Sequence, residues 1–188
     1  VSVYLKRVDE AHRLYRATDS DGRFAFPAVE AGTYGLEAVS ESPRCRATAQ
    51  QSLDATTAEV DVGILTLDCV EPTVVTSTPL HQGVGVLIDA VLEVVFSEPI
   101  DPASVSSLTF SLWDEESRVT GTLIVDGARV QLTPTQPLKE FHPYVIRLGG
   151  ERESVASWVN GNFLRDLEGL PFALTTDISF TTGDVSPP

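Results

Sequence analysis

The chain has 188 residues, of which 42% are hydrophobic, and carries 13 Lys and Arg against 27 Asp and Glu, a net charge of −14. That length allows one or two domains, and the apolar content is enough for real cores, which excludes a disordered chain. So acidic a protein repels a phosphate backbone, which makes nucleic acid a poor partner, and an anionic membrane surface is disfavoured for the same reason.

The 13 Gly and 12 Pro suit short strands joined by tight turns better than helices. The charge is uneven, with a net of −4 in residues 1–70 and −10 in residues 71–188. Its plainest use is to keep an extracellular module soluble. No apolar run approaches the ~20 residues of a membrane span, so no membrane insertion is expected in this segment. There is no Met, so the sequence reads as a mature product or a slice of a longer protein.

The first strand is expected over residues 1–7, where Val1, Val3 and Leu5 alternate with Ser2, Tyr4 and Lys6. A polar turn at Asp9-Glu10-Ala11-His12 leads to a second strand over residues 14–18. Asp19-Ser20-Asp21-Gly22 turns the chain again, with Gly22 free to take positive φ. A strand over residues 23–26 follows, with Phe24 and Phe26 on one face. After a loop, residues 33–39 alternate through Tyr34, Leu36 and Ala38. Residues 44–49 and 58–67 complete the set.

This pattern, TDSDGRFAF followed by AGTYGLEA, resembles the carboxypeptidase regulatory-like domain, a transthyretin-like β-sandwich. The matching positions are Asp19, Asp21, Gly22, Phe24, Phe26, Gly32, Thr33 and Tyr34, over residues 1–69. The resemblance implies a further strand ahead of Val1, so this edge of the sandwich is expected to be open or completed by something else.

Residues 70–72 read as a linker stiffened by Pro72. The second pattern has strands expected over residues 74–77, 90–96, 108–113, 119–125, 129–133, 143–148 and 176–182, with a loop over residues 79–85. Asp126-Gly127 marks a hairpin. About seven strands suit an immunoglobulin-like sandwich. The segments VVFSEPIDPASV, LTPTQPLKEFHPYVIRL and ISFTTG resemble the bacterial Ig-like domain first known from surface-layer proteins. Phe96, Ser97, Glu98, Pro99, Asp101, Leu132, Pro134, Leu138, Tyr144 and Phe180 carry that likeness, over residues 71–183. Residues 151–170 depart from it as a longer insertion containing Trp158. Residues 184–188 read as a Pro-rich linker.

Two cysteines, Cys45 and Cys69, more plausibly form one structural disulfide than a metal site, which needs more ligands. The alternative is a pair of buried thiols. A bridge points to an oxidising compartment.

Catalytic candidates are sparse, and none is assigned. His12, His81 and His142 fall in expected turns, and no Ser sits in a Gly-x-Ser-x-Gly elbow. Glu98 and Asp101 could be a carboxylate pair, but Pro99 and a capping role for Asp101 explain them better. Asp19 and Asp21 begin like a calcium loop, yet Phe24 occupies the position that needs Gly. Asp114-Glu115-Glu116 reads as a solvated turn. Calcium between the two domains stays open. No phosphate loop or dinucleotide fingerprint occurs, so no cofactor is expected. Trp158 is the candidate for a carbohydrate-binding surface, against a core role for both Trp113 and Trp158.

The sequence is therefore read as all-β, with two tandem β-sandwiches, and not as an enzyme. The expected role is structural: adhesion or assembly within a secreted or cell-surface bacterial protein, through protein partners or self-assembly. The alternatives are a carbohydrate- or protein-binding module, and accessory domains of an enzyme whose catalytic domain lies outside this segment.

Overall fold

The structure, a computed structural model, describes residues 1–56, 59–115, 117–149, 163–172 and 175–183. They are all-β, with one turn of 3-10 helix at Pro102–Ser104. The chain divides into two compact units, Val1–Val70 with Glu168–Leu170, and Glu71–Leu167 with Pro171–Pro188.

The first unit is built on one antiparallel sheet of β1 (Ser2–Arg7), β2 (Arg13–Ala17), β3 (Gly32–Glu41) and β4 (Arg44–Leu53). The spatial order is β2-β1-β3-β4. The period-two pattern sets which face is buried. Val3, Leu5, Tyr34, Leu36, Ala38 and Ala47 point to one side, and Tyr4 and Glu37 to the other. Phe24, Phe26, Val29, Val62, Leu65 and Leu67 cover the apolar side. The strands expected over residues 23–26 and 58–67 are not laddered in their described residues. Phe24 and Phe26 do share the core-facing side, so the alternation holds. Pro27 has no N–H to give a neighbour, and among the described residues no strand pairs with this segment.

Gly22 turns the chain at φ 78°. Cys45 of β4 is joined to Cys69 in a disulfide. Next to it, Arg46 and Asp68 exchange backbone hydrogen bonds of 2.7 and 2.8 Å. The C-terminal end of the covering segment is thus tied to β4 by covalent and hydrogen bonds.

The second unit faces two sheets together. One holds β5 (Val74–Thr78), β7 (Leu92–Phe96), β10 (Gly121–Asp126) and β11 (Arg129–Pro134), in the order β10-β11-β7-β5. The other holds β6 (Gly83–Val86), β8 (Phe110–Asp114), β9 (Ser117–Val119), β12 (Pro143–Leu148) and β13 (Thr176–Thr182), in the order β6-β13-β12-β8-β9. Part of the expected loop over residues 79–85 is thus β6, which pairs parallel with β13. The hairpin at Asp126-Gly127 joins β10 to β11, with Gly127 at φ 57°.

Alternate residues of both sheets interdigitate. Leu92, Val94, Phe96, Val130 and Leu132 meet Phe110, Leu112, Tyr144, Ile146, Ile178 and Phe180 in one continuous core. Tyr144 stacks on Phe180 at 5.6 Å, and Phe96 meets Phe172 edge-on at 5.7 Å. Leu164 and Arg165 are stitched in by backbone bonds to Gly149 and Asp101.

Candidate functional site

Sheet edges and polar clusters are what this fold offers for function. The first edge is β2. All five of its residues are exposed, and only its β1 side is paired. The Thr18 N–H donates to the Val1 carbonyl, so by alternation Leu14 and Arg16 bond toward β1, while Arg13, Tyr15 and Ala17 face outward. The outward Tyr15 carbonyl accepts from Arg16 Nη1 at 2.9 Å. Tyr15 packs on Tyr4 at 5.4 Å, and Arg13 lies 4.3 Å above the Tyr4 ring. This is an ordered edge, not a frayed one.

The second unit carries three polar clusters. Asp101 caps the 3-10 turn: Oδ1 accepts from the Ala103 N–H at 2.9 Å. Its Oδ2 accepts from Arg165 Nε and Nη2 at 2.9 and 2.8 Å, a forked pair. On β7, Glu93 accepts from Gln131 Nε2 at 2.8 Å and Arg129 Nη1 at 2.9 Å, both across the β7–β11 ladder. The Gln131 and Arg129 hydrogen bonds hold the Glu93 carboxyl below its ordinary range.

The third cluster closes the end of the core. Asp114 of β8 accepts from Lys139 Nζ at 2.6 Å and is hydrogen-bonded to His142 Nε2. The Lys139 and His142 hydrogen bonds lower the Asp114 pKa, and the Asp114 bond raises that of Lys139. The Lys139 N–H donates to Tyr144 Oη at 2.9 Å, and the His142 N–H to Thr182 Oγ1 at 2.9 Å. The third cluster resembles a catalytic constellation in residue type. Its groups, however, bond one another and the strand ends. Each cluster can pin strands together, and none holds a nucleophile beside a base.

The residues singled out from sequence fall as follows. Cys45 and Cys69 are brought together. Asp19 Oδ1 accepts from the Asp21 and Arg23 N–H groups at 2.9 and 2.8 Å, which uses the carboxylate to make the turn. His12 lies in the β1–β2 turn. His81 Nδ1 accepts from the Ser179 N–H at 3.2 Å. Glu98 is half-buried beyond β7. Trp158 and Glu116 lie outside the described residues, as do residues 184–188. Trp113 departs from the expected core role: it is half-buried on the solvent side of its sheet.

Sequence reading missed the Lys139–Asp114–His142 and Gln131–Glu93–Arg129 clusters. It also missed the two guanidiniums that flank Trp113, Arg118 at 5.3 Å and Arg147 at 4.8 Å from the ring centroid. One signal was available. Trp113 is out of phase with Phe110 and Leu112, so a strand there turns it away from the core.

The family described as "Bacterial Ig-like domain" matches residues 68–182. No curated protein matches the chain. Among solved structures, the N-terminal part of the bacterial S-layer protein SbsC is similar at 19% identity and a TM-score of 0.43, over 63% of this chain and 25% of that one. The S-layer protein rSbsC is similar at 19% identity and a TM-score of 0.44, over 64% of this chain and 15% of that one. Domains 1–6 of SbsC match at 18% and 0.43, over 63% of this chain and 14% of that one. The chain therefore spans a quarter or less of the length of these structures.

Proposed function

The chain belongs to the bacterial Ig-like domain family through residues 68–182, and from that premise we propose that it is a structural module of a larger secreted or cell-surface bacterial protein. Domains of this family are typically non-catalytic. One observation carries the reading. Among the described residues, four side chains capable of acid–base work in the second unit, Asp101, Glu93, Asp114 and His142, are engaged in bonds that hold the sandwich.

In this reading residues 73–183 are the Ig-like module, residues 70–72 the linker, and residues 1–69 a module of the carboxypeptidase regulatory-like kind. Gly32-Thr33-Tyr34 at the start of β3 and the Gly22 turn support the last assignment. The Cys45–Cys69 disulfide supports an oxidising, extracellular setting. Among the described residues no helix is long and apolar enough to cross a membrane.

The module works by assembly, with a strand of a protein partner or of a second copy added along β2. Sedimentation of the chain over a range of concentrations tests this. Tyr15→Pro removes an outward N–H while leaving the bonds from β2 to β1. Concentration-dependent association that disappears in Tyr15→Pro is the expected result. Association unchanged by that substitution would place the contact elsewhere, and a monomer at all concentrations would remove self-assembly from the reading.

A further inference from the structure

Within the second unit, the described basic side chains divide into two groups. Arg129, Lys139 and Arg165 each hold a carboxylate, at 2.9, 2.6 and 2.8 Å. Arg118 donates only to Ser107 Oγ, at 3.4 Å. Arg147 stands 3.8 Å from Asp177 Oδ2, too far for a hydrogen bond. The unit is rich in Asp and Glu, yet the two guanidiniums that hydrogen-bond no carboxylate, Arg118 and Arg147 (the latter in a loose ion pair with Asp177), meet on one indole, that of Trp113.

The strand register explains the meeting. Trp113 is opposite Arg118 on β9 and Val145 on β12, and Arg147 is opposite Ser111 one row along. Trp113 Nε1–H donates to Ser111 Oγ at 2.9 Å, which fixes the ring over the sheet. Ser179 and Asp177 continue the two rows on β13.

We propose that this face binds a carboxylate-bearing polysaccharide, with Trp113 as the platform for a sugar ring and Arg118 and Arg147 as the partners of its carboxylates. The guanidinium fork matches a carboxylate bidentately, and both forks still have donors to give. Drawing either one off the indole breaks no tight ion pair and bares a ring face on which the apolar side of a sugar can pack. Ser179 is placed to bond a sugar hydroxyl, and a ligand carboxylate would displace Asp177 from its loose contact with Arg147. The strands beneath, β8, β12 and β13, are paired on both sides, so here only the three-residue edge strand β9 is open to an added strand. Glu115 is exposed in the neighbouring turn, so attraction is local to the two guanidiniums and does not come from a uniform positive field.

The test uses the full chain carrying Trp158→Phe, which leaves Trp113 as the reporter, titrated with polygalacturonate fragments. A saturable change in Trp113 emission is expected. It should weaken with added salt and be absent with dextran of equal length. Arg118→Gln and Arg147→Gln should each weaken binding about tenfold while the melting curve stays in place. Equilibrium dialysis of the unsubstituted chain gives the same reading should Trp158→Phe disturb folding. No binding, or binding undiminished in the double Arg variant, overturns the proposal. Equal binding to polyglutamate overturns the sugar assignment in favour of an acidic peptide. The proposal goes beyond the structural-module reading, which rests on the family and the β2 edge and survives its failure.

Discussion

The two units stabilise the same kind of sheet by different means. In the first, four strands lay one apolar face against segments that are not strands. Its buried residues fall in two small clusters, Val3 with Ala38 and Ala47, and Leu5 with Tyr34 and Leu36. In the second, one core holds sixteen buried residues among those described, most of them interleaved from two sheets, and no cysteine is present. A small core cannot supply much beyond the entropy it must offset, so a staple is needed. The first unit has that staple in Cys45–Cys69, and the second has enough interleaved apolar surface to do without.

The sharpest way to break this comparison is in the larger core. Phe110 is fully buried, and Phe110→Ala should cost the second unit about 3–5 kcal/mol. Denaturant unfolding measures the loss. Hydrogen exchange should place it in β7, β8 and β12 amides and leave those of β3 and β4 protected. Loss of protection in β3 as well would mean that the units do not unfold separately.

Next comes the staple. Reduction, or Cys45→Ala with Cys69→Ala, should cost the first unit roughly 3 kcal/mol in the chain-entropy account of a loop this long. Here exchange should quicken in β1, β3 and β4 and stay unchanged in β7, β8 and β12. A reduced protein with unchanged protection would show that Phe24, Phe26 and their neighbours suffice.

The smallest effect is electrostatic and belongs to the second unit. Glu93 and Asp114 both have folded pKa values held below their ordinary ones. Their stabilisation is therefore complete above the ordinary carboxylate value of about 4 and is lost as pH falls through the lower folded values. The melting temperature of the second unit should drop over that acid window, and Glu93→Gln with Asp114→Asn should flatten the drop. A profile with the same slope in the double variant would assign acid sensitivity to other carboxylates. Lys139 acts in the opposite sense, its contribution persisting below the ordinary amine value and fading as pH rises through the raised one.

The strands were legible wherever alternation and a turn signal coincided. Asp126-Gly127 between two alternating runs located β10 and β11, and Tyr34, Leu36 and Ala38 located β3. Alternation also faced Phe24 and Phe26 correctly, but it could not say whether a neighbouring strand exists to ladder with them. β6 was hidden because Gly83 and Gly85 read as a loop, while its pairing with β13 depends on residues nearly a hundred positions away. The same distance problem hid the clusters. Asp114, Lys139 and His142 belong together only once β8 and β12 are in register, Tyr144 opposite Asp114. Trp113 was the exception: its parity against Phe110 and Leu112 was in the sequence, but its size suggested a core role.

The disulfide also has a mechanical consequence. Cys45 and Cys69 are 24 positions apart, a length that could extend by roughly 80 Å if drawn straight. Under tension along the first unit the covalent bridge withholds that slack. β1, β2 and β3 can be pulled out, but the segment from β4 to Asp68 stays a closed loop, so the unit yields a shorter tether than its residue count allows.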